Sequence, residues 1–348
     1  MARHLCMLAR IPGTAGPANF QRRLEEGLHT RNIQISYGSA NRPCEVLMVI
    51  GATRNLAGMR RARRDGIPII QRLNGMNWIH RQTRTGLRHY LRAEINNLLL
   101  RLIRAKLADH IIYQSHFAQA WWERAHGITP VPSSVIYNGV PLDRYTPEGK
   151  EKPPEDRMII LMVEGNLSGG YEVGVESGVD LARKIQERVS RPVELHIAGN
   201  APRDIRSRWK SNGKPLIQWL GLVSPDHIPA LARGAHLLYS GDPNPACPNA
   251  VIEAMACGLP IVAYNTGALP EMVTEDAGKV VDYGGDPWRL EKPDIEALVD
   301  AALGVEADQE RFRKGARQRA VEAFGQDRMV DGYLKVFQSI TKSSGMDV

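Results

Sequence analysis

Short apolar runs alternate with amphipathic stretches along most of the chain, and the two periods predict its elements. In the first half the apolar runs are residues 4–9, 33–36, 46–50, 68–72, 110–113 and 134–137. Each has the length of a strand buried on both faces, and all but the first carry β-branched or aromatic residues. Between them apolar residues recur every three or four positions over 19–29, 57–65, 87–107 and 115–126, the spacing of helices that cover a core. The second half repeats this rhythm, with strands expected at 158–163, 194–198, 217–220, 236–239 and 259–263 and a helix over 176–189.

Strands alternating with helices predict an α/β chain with parallel, doubly wound sheets. Prolines and charges cluster between Pro141 and Asp156, where the linker is expected, so the domains are placed at 1–150 and 151–327. A last segment, 328–348, contains a helix over 328–340. Its residues Met329, Val330, Tyr333, Leu334, Val336, Phe337 and Ile340 share one face, which predicts packing back onto the first domain.

Composition narrows the class. The chain has 348 residues, enough for two cores, and its 43% hydrophobic and 24% charged content excludes wholesale disorder. No apolar run has membrane-spanning length, and the first ten residues lack the long apolar region of a secretory signal. Cys6, Cys44, Cys247 and Cys257 are scattered without paired or zinc-type spacing, which points to free thiols, a reducing compartment and a cytoplasmic location. Net charge is +7, but residues 1–150 hold 22 Lys and Arg against 9 Asp and Glu. That basic half, with Arg60, Arg61, Arg63 and Arg64 at its densest, suits an anionic acceptor or peripheral contact with an anionic membrane; a solvated basic surface is the plainer reading. Interleaved aromatics are lacking, which argues against a nucleic-acid partner.

The densest chemistry lies between Pro248 and Glu271. Asn249 is expected as N-cap of a helix over 250–257, Gly258 as its left-handed terminator, and 259–263 as the next strand. The start of such a helix favours an anion, and Glu253, one turn inside, can accept hydrogen bonds from sugar hydroxyls. Gly13 and Gly16 form a loop between the first strand and the helix expected near Asn19. Their spacing is not that of a dinucleotide fingerprint, so a nicotinamide-dependent dehydrogenase is a poor reading. Gly165 to Glu172 lacks the Gly-Lys-Ser/Thr ending of a P-loop, so an ATPase is not supported either. Asn74 falls where a strand of the first domain ends, a position from which an amide could orient an acceptor hydroxyl; His80 lies nearby. The 87–107 helix carries Leu98, Leu99, Leu100, Leu102 and Ile103 beside Arg88, Arg92, Arg101, Arg104 and Lys106. Core packing with a basic edge is expected, and an interfacial helix is the alternative.

The window from Pro248 to Glu271 resembles the donor-sugar signature of the family 4 glycosyltransferases. That signature has two acids eight positions apart; Glu253 matches the second, Pro248 and Asn249 match a preceding Pro-Asn, and Thr266, Gly267, Ala268 and Glu271 match a following Gly-Gly-x-x-Glu turn. Residues 108–115, 134–145, 195–200 and 219–223 are similar to other segments of the family in order and spacing. The resemblance implies the GT-B fold, two Rossmann-like domains with a deep cleft between them. It implies a retaining, metal-independent hexosyltransferase without cofactor, moving sugar from a UDP- or GDP-sugar to a glycan or lipid-linked acceptor. Glu253 and Asn74 are then the expected catalytic residues. Gly13, Gly16, Gly165, Asn166, Gly169, Gly170, Asn249, Ala250, Gly267, Ala268 and Glu271 are expected at the donor.

Three positions depart from that pattern. Pro245 stands where the first acid belongs, with Asp242 the nearest replacement, while Asn166 and Tyr171 stand where the family has the Arg and Lys that neutralise the departing diphosphate. Compensation is expected from the helix start at Asn249, the N–H groups of Gly169 and Gly170, or Arg10, Arg72 and Arg203. The same departures support a second reading, a weak or inactive homologue that binds nucleotide or glycan as a partner subunit.

Overall fold

The computed structural model describes residues 4–13, 16–38, 44–209 and 213–343; the expected terminal stretch past 343 lies outside them. The chain divides into two compact units. One comprises Met1–Trp78, Gly86–Gly139 and Gly325–Val348, the other Ile79–Thr85 and Val140–Phe324, so the divisions fall at 139/140 and 324/325 where 150/151 and 327/328 were expected.

The first unit runs β1 (His4–Met7), α1 (Gly16–His29), β2 (Gln34–Tyr37), β3 (Val46–Ile50), α2 (Leu56–Arg64) and β4 (Ile69–Leu73). It continues through α3 (Leu87–Lys106), β5 (His110–Tyr113), α4 (His116–His126) and β6 (Ser133–Val135). The six strands form one parallel sheet in the order β2-β1-β3-β4-β5-β6. Alternation along the strands explains the apolar runs. Leu5 and Met7 of β1, with Val46 and Met48 of β3, face a core shared with Phe20, Leu24 and Leu28 of α1. Cys6, Leu47 and Val49 face the opposite core, against Met59 and Ala62 of α2 and Ile103 of α3. With helices on both faces, the strands carry no polar side.

The second unit runs β7 (Met158–Asn166), α5 (Glu172–Arg188), β8 (Val193–Asn200), α6 (Arg203–Arg208), β9 (Leu216–Gly221), α7 (Ile228–Arg233) and β10 (Leu237–Ser240). Then follow α8 (Asn249–Ala256), β11 (Ile261–Tyr264), α9 (Leu269–Met272), β12 (Gly278–Val281), α10 (Ile295–Ala307) and α11 (Gln309–Ala323). Its sheet is again parallel, ordered β12-β11-β10-β7-β8-β9. Met158, Ile160 and Met162 of β7 pack with Val175 and Val179 of α5 and with Leu298 and Ala302 of α10. The last helix, α12 (Gln326–Ser343), belongs to the first unit, where Met329, Val330, Tyr333 and Phe337 join the α1 core.

One expectation about the cysteines is corrected. Cys6 and Cys44 are joined as a disulfide with Cα atoms 5.8 Å apart, while Cys247 and Cys257 are free and buried. The pairing was hidden by a sequence separation of 38, which the parallel pairing of β1 with β3 closes. Among the described residues no helix is long and apolar enough to cross a membrane.

Backbones approach closely where α5 meets the loop after β10. A Cβ on Gly174 would overlap the carbonyl of Gly241, so only glycine allows that contact. Gly165 has nothing within 4 Å of the same position. We expect Gly174→Ala to cost about 1–3 kcal/mol and to lower the calorimetric melting temperature by several degrees. Gly165→Ala is expected to stay within about 0.5 kcal/mol of the parent. Equal melting temperatures for the two variants would contradict this packing.

Candidate functional site

In the second unit β7 hands the chain outward to β8, whereas the neighbouring β10 hands it the opposite way to β11. Neither crossover covers the carboxyl ends of β7 and β10, and the gap left there is the customary ligand crevice of an open parallel sheet. Three connections border this edge: the loop after β7, residues 241–248 after β10, and the turn after β11. The candidate residues Gly165 and Asn166 end β7, and Gly169, Gly170, Asn249, Ala250, Glu253, Gly267, Ala268 and Glu271 lie on these three connections or on the helices they open.

The loop after β7 is built for an anion and already holds one. Gly169 and Gly170 have φ of 73° and 107°, a left-handed run that turns successive N–H groups toward one point. Both donate to the carboxylate of Glu172, at 3.0 Å and 2.6 Å. The donors expected to meet a diphosphate are therefore engaged by a side chain from the first turn of α5. Asn166 is also occupied locally, its amide and the hydroxyl of Ser168 bonding within the loop at 3.3 Å and 3.0 Å. The short segment Ile79–Thr85 lies over this loop, with Ile79 in the space a Cβ on Gly170 would need.

Beside the loop two carboxyl groups face each other. Glu164, near the end of β7, accepts backbone N–H bonds from Gly241 and Asp242. Asp242 accepts the N–H of Asn244 at 3.1 Å. Burial first, then the charge of Asp242, pushes Glu164 up to about 8. Burial pushes Asp242 up to about 6. Tyr171, at the family's Lys position, is raised by burial and by both carboxylates, so its phenol stays protonated as a hydrogen-bond donor. Asp242 also lines a small, partly open pocket with Gly174, Ser177, Tyr239, Tyr264, Thr266 and Tyr283. The pair and its surroundings were invisible in sequence except for Asp242, because 78 positions separate residues that only the parallel pairing of β7 with β10 brings together.

The helix expected from the signature is α8, with one correction. Its N-cap is Pro248, and Asn249 is the first helical residue. The N–H groups of Asn249, Ala250 and Val251 have no acceptor within the helix, as at any helix start. At the other end Gly258 has φ 70°, its N–H bonds to Met255 O at 2.9 Å and that of Leu259 to Ala254 O at 2.9 Å, a complete Schellman closure. Glu253 lies on α8 and is 5% exposed. Pro245, at the place of the missing acid, is held as structure: its carbonyl accepts the Ala268 N–H at 2.8 Å, and its ring and backbone fill the space a side chain on Gly267 would need. Glu271 sits in the single turn of α9, where Arg319 donates to its carbonyl at 2.8 Å and to that of Met272 at 2.9 Å.

Gly13, Gly16 and Asn74 belong to the first unit. Gly13 is in the loop after β1, and Gly16 is the first residue of α1, which begins three residues before the start expected near Asn19. Asn74 follows β4; its carbonyl accepts the Trp122 indole N–H at 2.8 Å and its side-chain oxygen accepts from Arg72. Arg72 is 2% exposed, bonds to Gln114 and Asn138 at 2.7 Å each, and stacks 3.8 Å from the Phe20 ring centre. It is thus an interior hub and not the compensating cation expected of it. Arg10 lies over the Tyr37 ring at 4.9 Å, and Arg203 is exposed at the start of α6.

Two units, each a six-stranded parallel sheet, the second open at its switch point, have the architecture of the GT-B class, and the comparisons agree. Residues 159–308 match the model described as glycosyl transferases group 1, and 41–144 match glycosyltransferase family 4. The chain belongs to the family 4 glycosyltransferases. It is similar to a GDP-mannose-dependent alpha-(1-6)-phosphatidylinositol dimannoside mannosyltransferase of Mycobacterium tuberculosis, 29% identical over 43% of this chain and 37% of the relative. It is similar also to a D-inositol 3-phosphate glycosyltransferase of Geodermatophilus obscurus, 26% identical over 61% of this chain and 48% of the relative. The chain thus spans less than half the length of these relatives. Among solved structures, sucrose-phosphate synthase of Thermosynechococcus elongatus superposes with TM-score 0.73 at 13% identity, covering 98% of this chain and 100% of that one. Anabaena HepE, solved with UDP-glucose, gives 0.69 at 14% identity over 97% and 99%.

Two outcomes follow from the loop after β7. Glu172→Ala should raise affinity for an isolated nucleoside diphosphate several-fold by calorimetric titration, since the Gly169 and Gly170 donors become available; unchanged or weaker binding would show that they do not meet the ligand. The Glu164 carboxyl is neutral in the fold up to about pH 8, while an unfolded chain ionises it near its ordinary 4.5. Its stability contribution is therefore complete below the ordinary value and is lost as pH rises toward and through 8. The melting temperature of the parent should fall over that window by a few degrees relative to Glu164→Gln, in which the neutral form is permanent. Parallel pH profiles would contradict the assignment.

Proposed function

We propose that the chain is a retaining, metal-independent hexosyltransferase that takes its sugar from a nucleotide diphosphate sugar carrying UDP or GDP and passes it to a hydroxyl of a glycan or lipid-linked acceptor. The observation that carries this reading is the start of α8, with Glu253 buried one turn inside, opening on the switch-point crevice of the second unit. The two mycobacterial and actinobacterial relatives named above supply the acceptor class by analogy, since both are named for inositol-containing acceptors.

In this proposal the diphosphate rests against the N–H groups of Asn249 and Ala250, with Gly165, Asn166, Gly169 and Gly170 around it once Glu172 has moved aside. Glu253 and Glu271 accept hydrogen bonds from donor hydroxyls, and Asp242 takes the part of the acid absent at Pro245. Gly267 and Ala268 hold the turn that carries Glu271. Gly13 and Gly16 give a backbone free of Cβ atoms on the acceptor side. Asn74, whose carboxamide oxygen is taken by Arg72, donates from its nitrogen to orient the acceptor. The bond between the anomeric carbon and the phosphate oxygen breaks, the acceptor oxygen bonds to that carbon on the same face, and its proton goes to the departing phosphate.

A weak or inactive homologue that binds nucleotide or glycan as a partner subunit is the second reading. Glu172 seated in the Gly169–Gly170 donors, with no Arg or Lys at 166 or 171, favours it. Assay of UDP- and GDP-hexoses with inositol-containing acceptors separates the two. Turnover that Glu253→Gln lowers about 10²–10³-fold, with the nucleotide-induced rise in melting temperature retained and the product anomer matching the donor by NMR, supports the first reading. Nucleotide binding without turnover on any donor supports the second.

A further inference from the structure

Of the large apolar side chains that stand exposed among the described residues, five lie on α3: Leu87, Tyr90, Leu91, Ile95 and Leu98, from 40% to 75% exposed. Residues 87, 91, 95 and 98 are four, four and three positions apart, which places them in one stripe about 17 Å long. The opposite face of α3 is the buried one, through Ala93, Asn97, Leu100 and Ile103. Every residue from Leu87 to Arg92 is exposed, so the first turns of the helix project from the unit. The expected core packing holds for Leu100 and Ile103, which are buried, whereas Leu98 stands exposed.

Helical spacing sets Arg88, Arg92 and Lys106 along one side of the stripe and Arg101 along the other. Neighbouring α2 packs beside the second half of α3 through Met59 and Ala62 against Ile103 and Leu107, and Arg63 donates to the Lys106 carbonyl. It adds the exposed Arg60, Arg61, Arg63 and Arg64. Glu94 is the one acid within the two helices, with Asp65 at the end of α2. An apolar stripe bordered by guanidinium groups suits a boundary where hydrocarbon lies beneath a layer of negative charge. A second copy of the chain docked by the same face would set like charges against each other, and a neutral protein partner would leave the flanking arginines without complement.

We infer that α3 docks onto the surface of a lipid bilayer containing anionic headgroups, the stripe entering the headgroup boundary and the arginines of α2 and α3 meeting the lipid phosphates. The inference stands on these two helices alone and is independent of the transferase reading. The test is co-sedimentation of the full chain with phosphatidylcholine vesicles prepared with and without about 30 mol% phosphatidylglycerol. Binding should appear only with phosphatidylglycerol and weaken in raised salt. Leu91→Asn with Leu98→Asn should lower the partition coefficient about tenfold or more, at an unchanged melting temperature because both side chains are exposed. Arg88→Gln with Arg92→Gln should lower it by a similar factor. The inference is overturned if the chain stays in the supernatant with both vesicle types, if it binds them equally, if the Asn pair binds like the parent, or if light scattering finds a dimer that the Asn pair dissociates.

Discussion

The reversal of strand order between β7 and β10 shapes everything that the second unit can do. Two adjacent parallel strands whose connections leave in opposite directions cannot both be covered at their carboxyl ends, so backbone from three separate connections is brought to one uncovered edge. The closeness of that edge depends on small residues. Gly174 meets Gly241 backbone to backbone, Gly267 meets Pro245, and Gly170 meets Ile79. The apolar layers beneath supply rigidity, with Met158, Ile160 and Met162 of β7 fully buried against α5 and α10. A site assembled on such a scaffold holds its backbone donors in place before any ligand arrives, which is the arrangement that makes oriented dipoles effective toward a phosphate.

Electrostatics at this edge differs from the family pattern in a consistent way. Where the family carries an Arg and a Lys, this chain has Asn166 and Tyr171, and three carboxyl groups, Glu164, Glu172 and Asp242, surround the same loop. At an effective dielectric of about 20, a carboxylate about 6 Å from a phosphate opposes it by roughly 3 kcal/mol. The upward displacement of Glu164 to about 8 relieves its share of that repulsion, because a protonated carboxyl beside the phosphates donates where an ionised one would repel. Of the other two, Glu172 is bound by the very N–H groups a phosphate would use. Ligand charge and this side chain therefore compete for one set of donors.

Much of the fold was legible because the sheets are covered on both faces. Val46–Ile50 is apolar throughout and His110–Tyr113 after its first residue, and the expected bounds agree with the observed strands. Strand β12 went unread, since Gly278 and Lys279 interrupt its apolar character and its last three residues are only half-buried. The signature helix was readable from Gly258, whose left-handed backbone closes α8, but its N-cap shifted by one residue because Pro248 already has the extended backbone that a cap requires. Side-chain roles set by distant partners were not readable. Arg72 seemed a free cation until β4, β5 and β6 placed Asn74, Gln114 and Asn138 around it. Cys44 gave no sign of Cys6, and Glu172 gave no sign of the glycines it caps. In each case the deciding neighbour arrives through strand pairing or a turn, which local periodicity does not encode.

The central claim is that the donor diphosphate lodges at the open ends of β7 and β10, against the start of α8. A crystal structure of the chain saturated with a UDP- or GDP-hexose tests it most directly. The account predicts pyrophosphate oxygens within hydrogen-bond distance of the Asn249 and Ala250 N–H groups, with the Glu172 carboxylate displaced from Gly169 and Gly170. Donor bound elsewhere on the chain, or an edge that stays empty with Glu172 still seated at saturating donor, would contradict it.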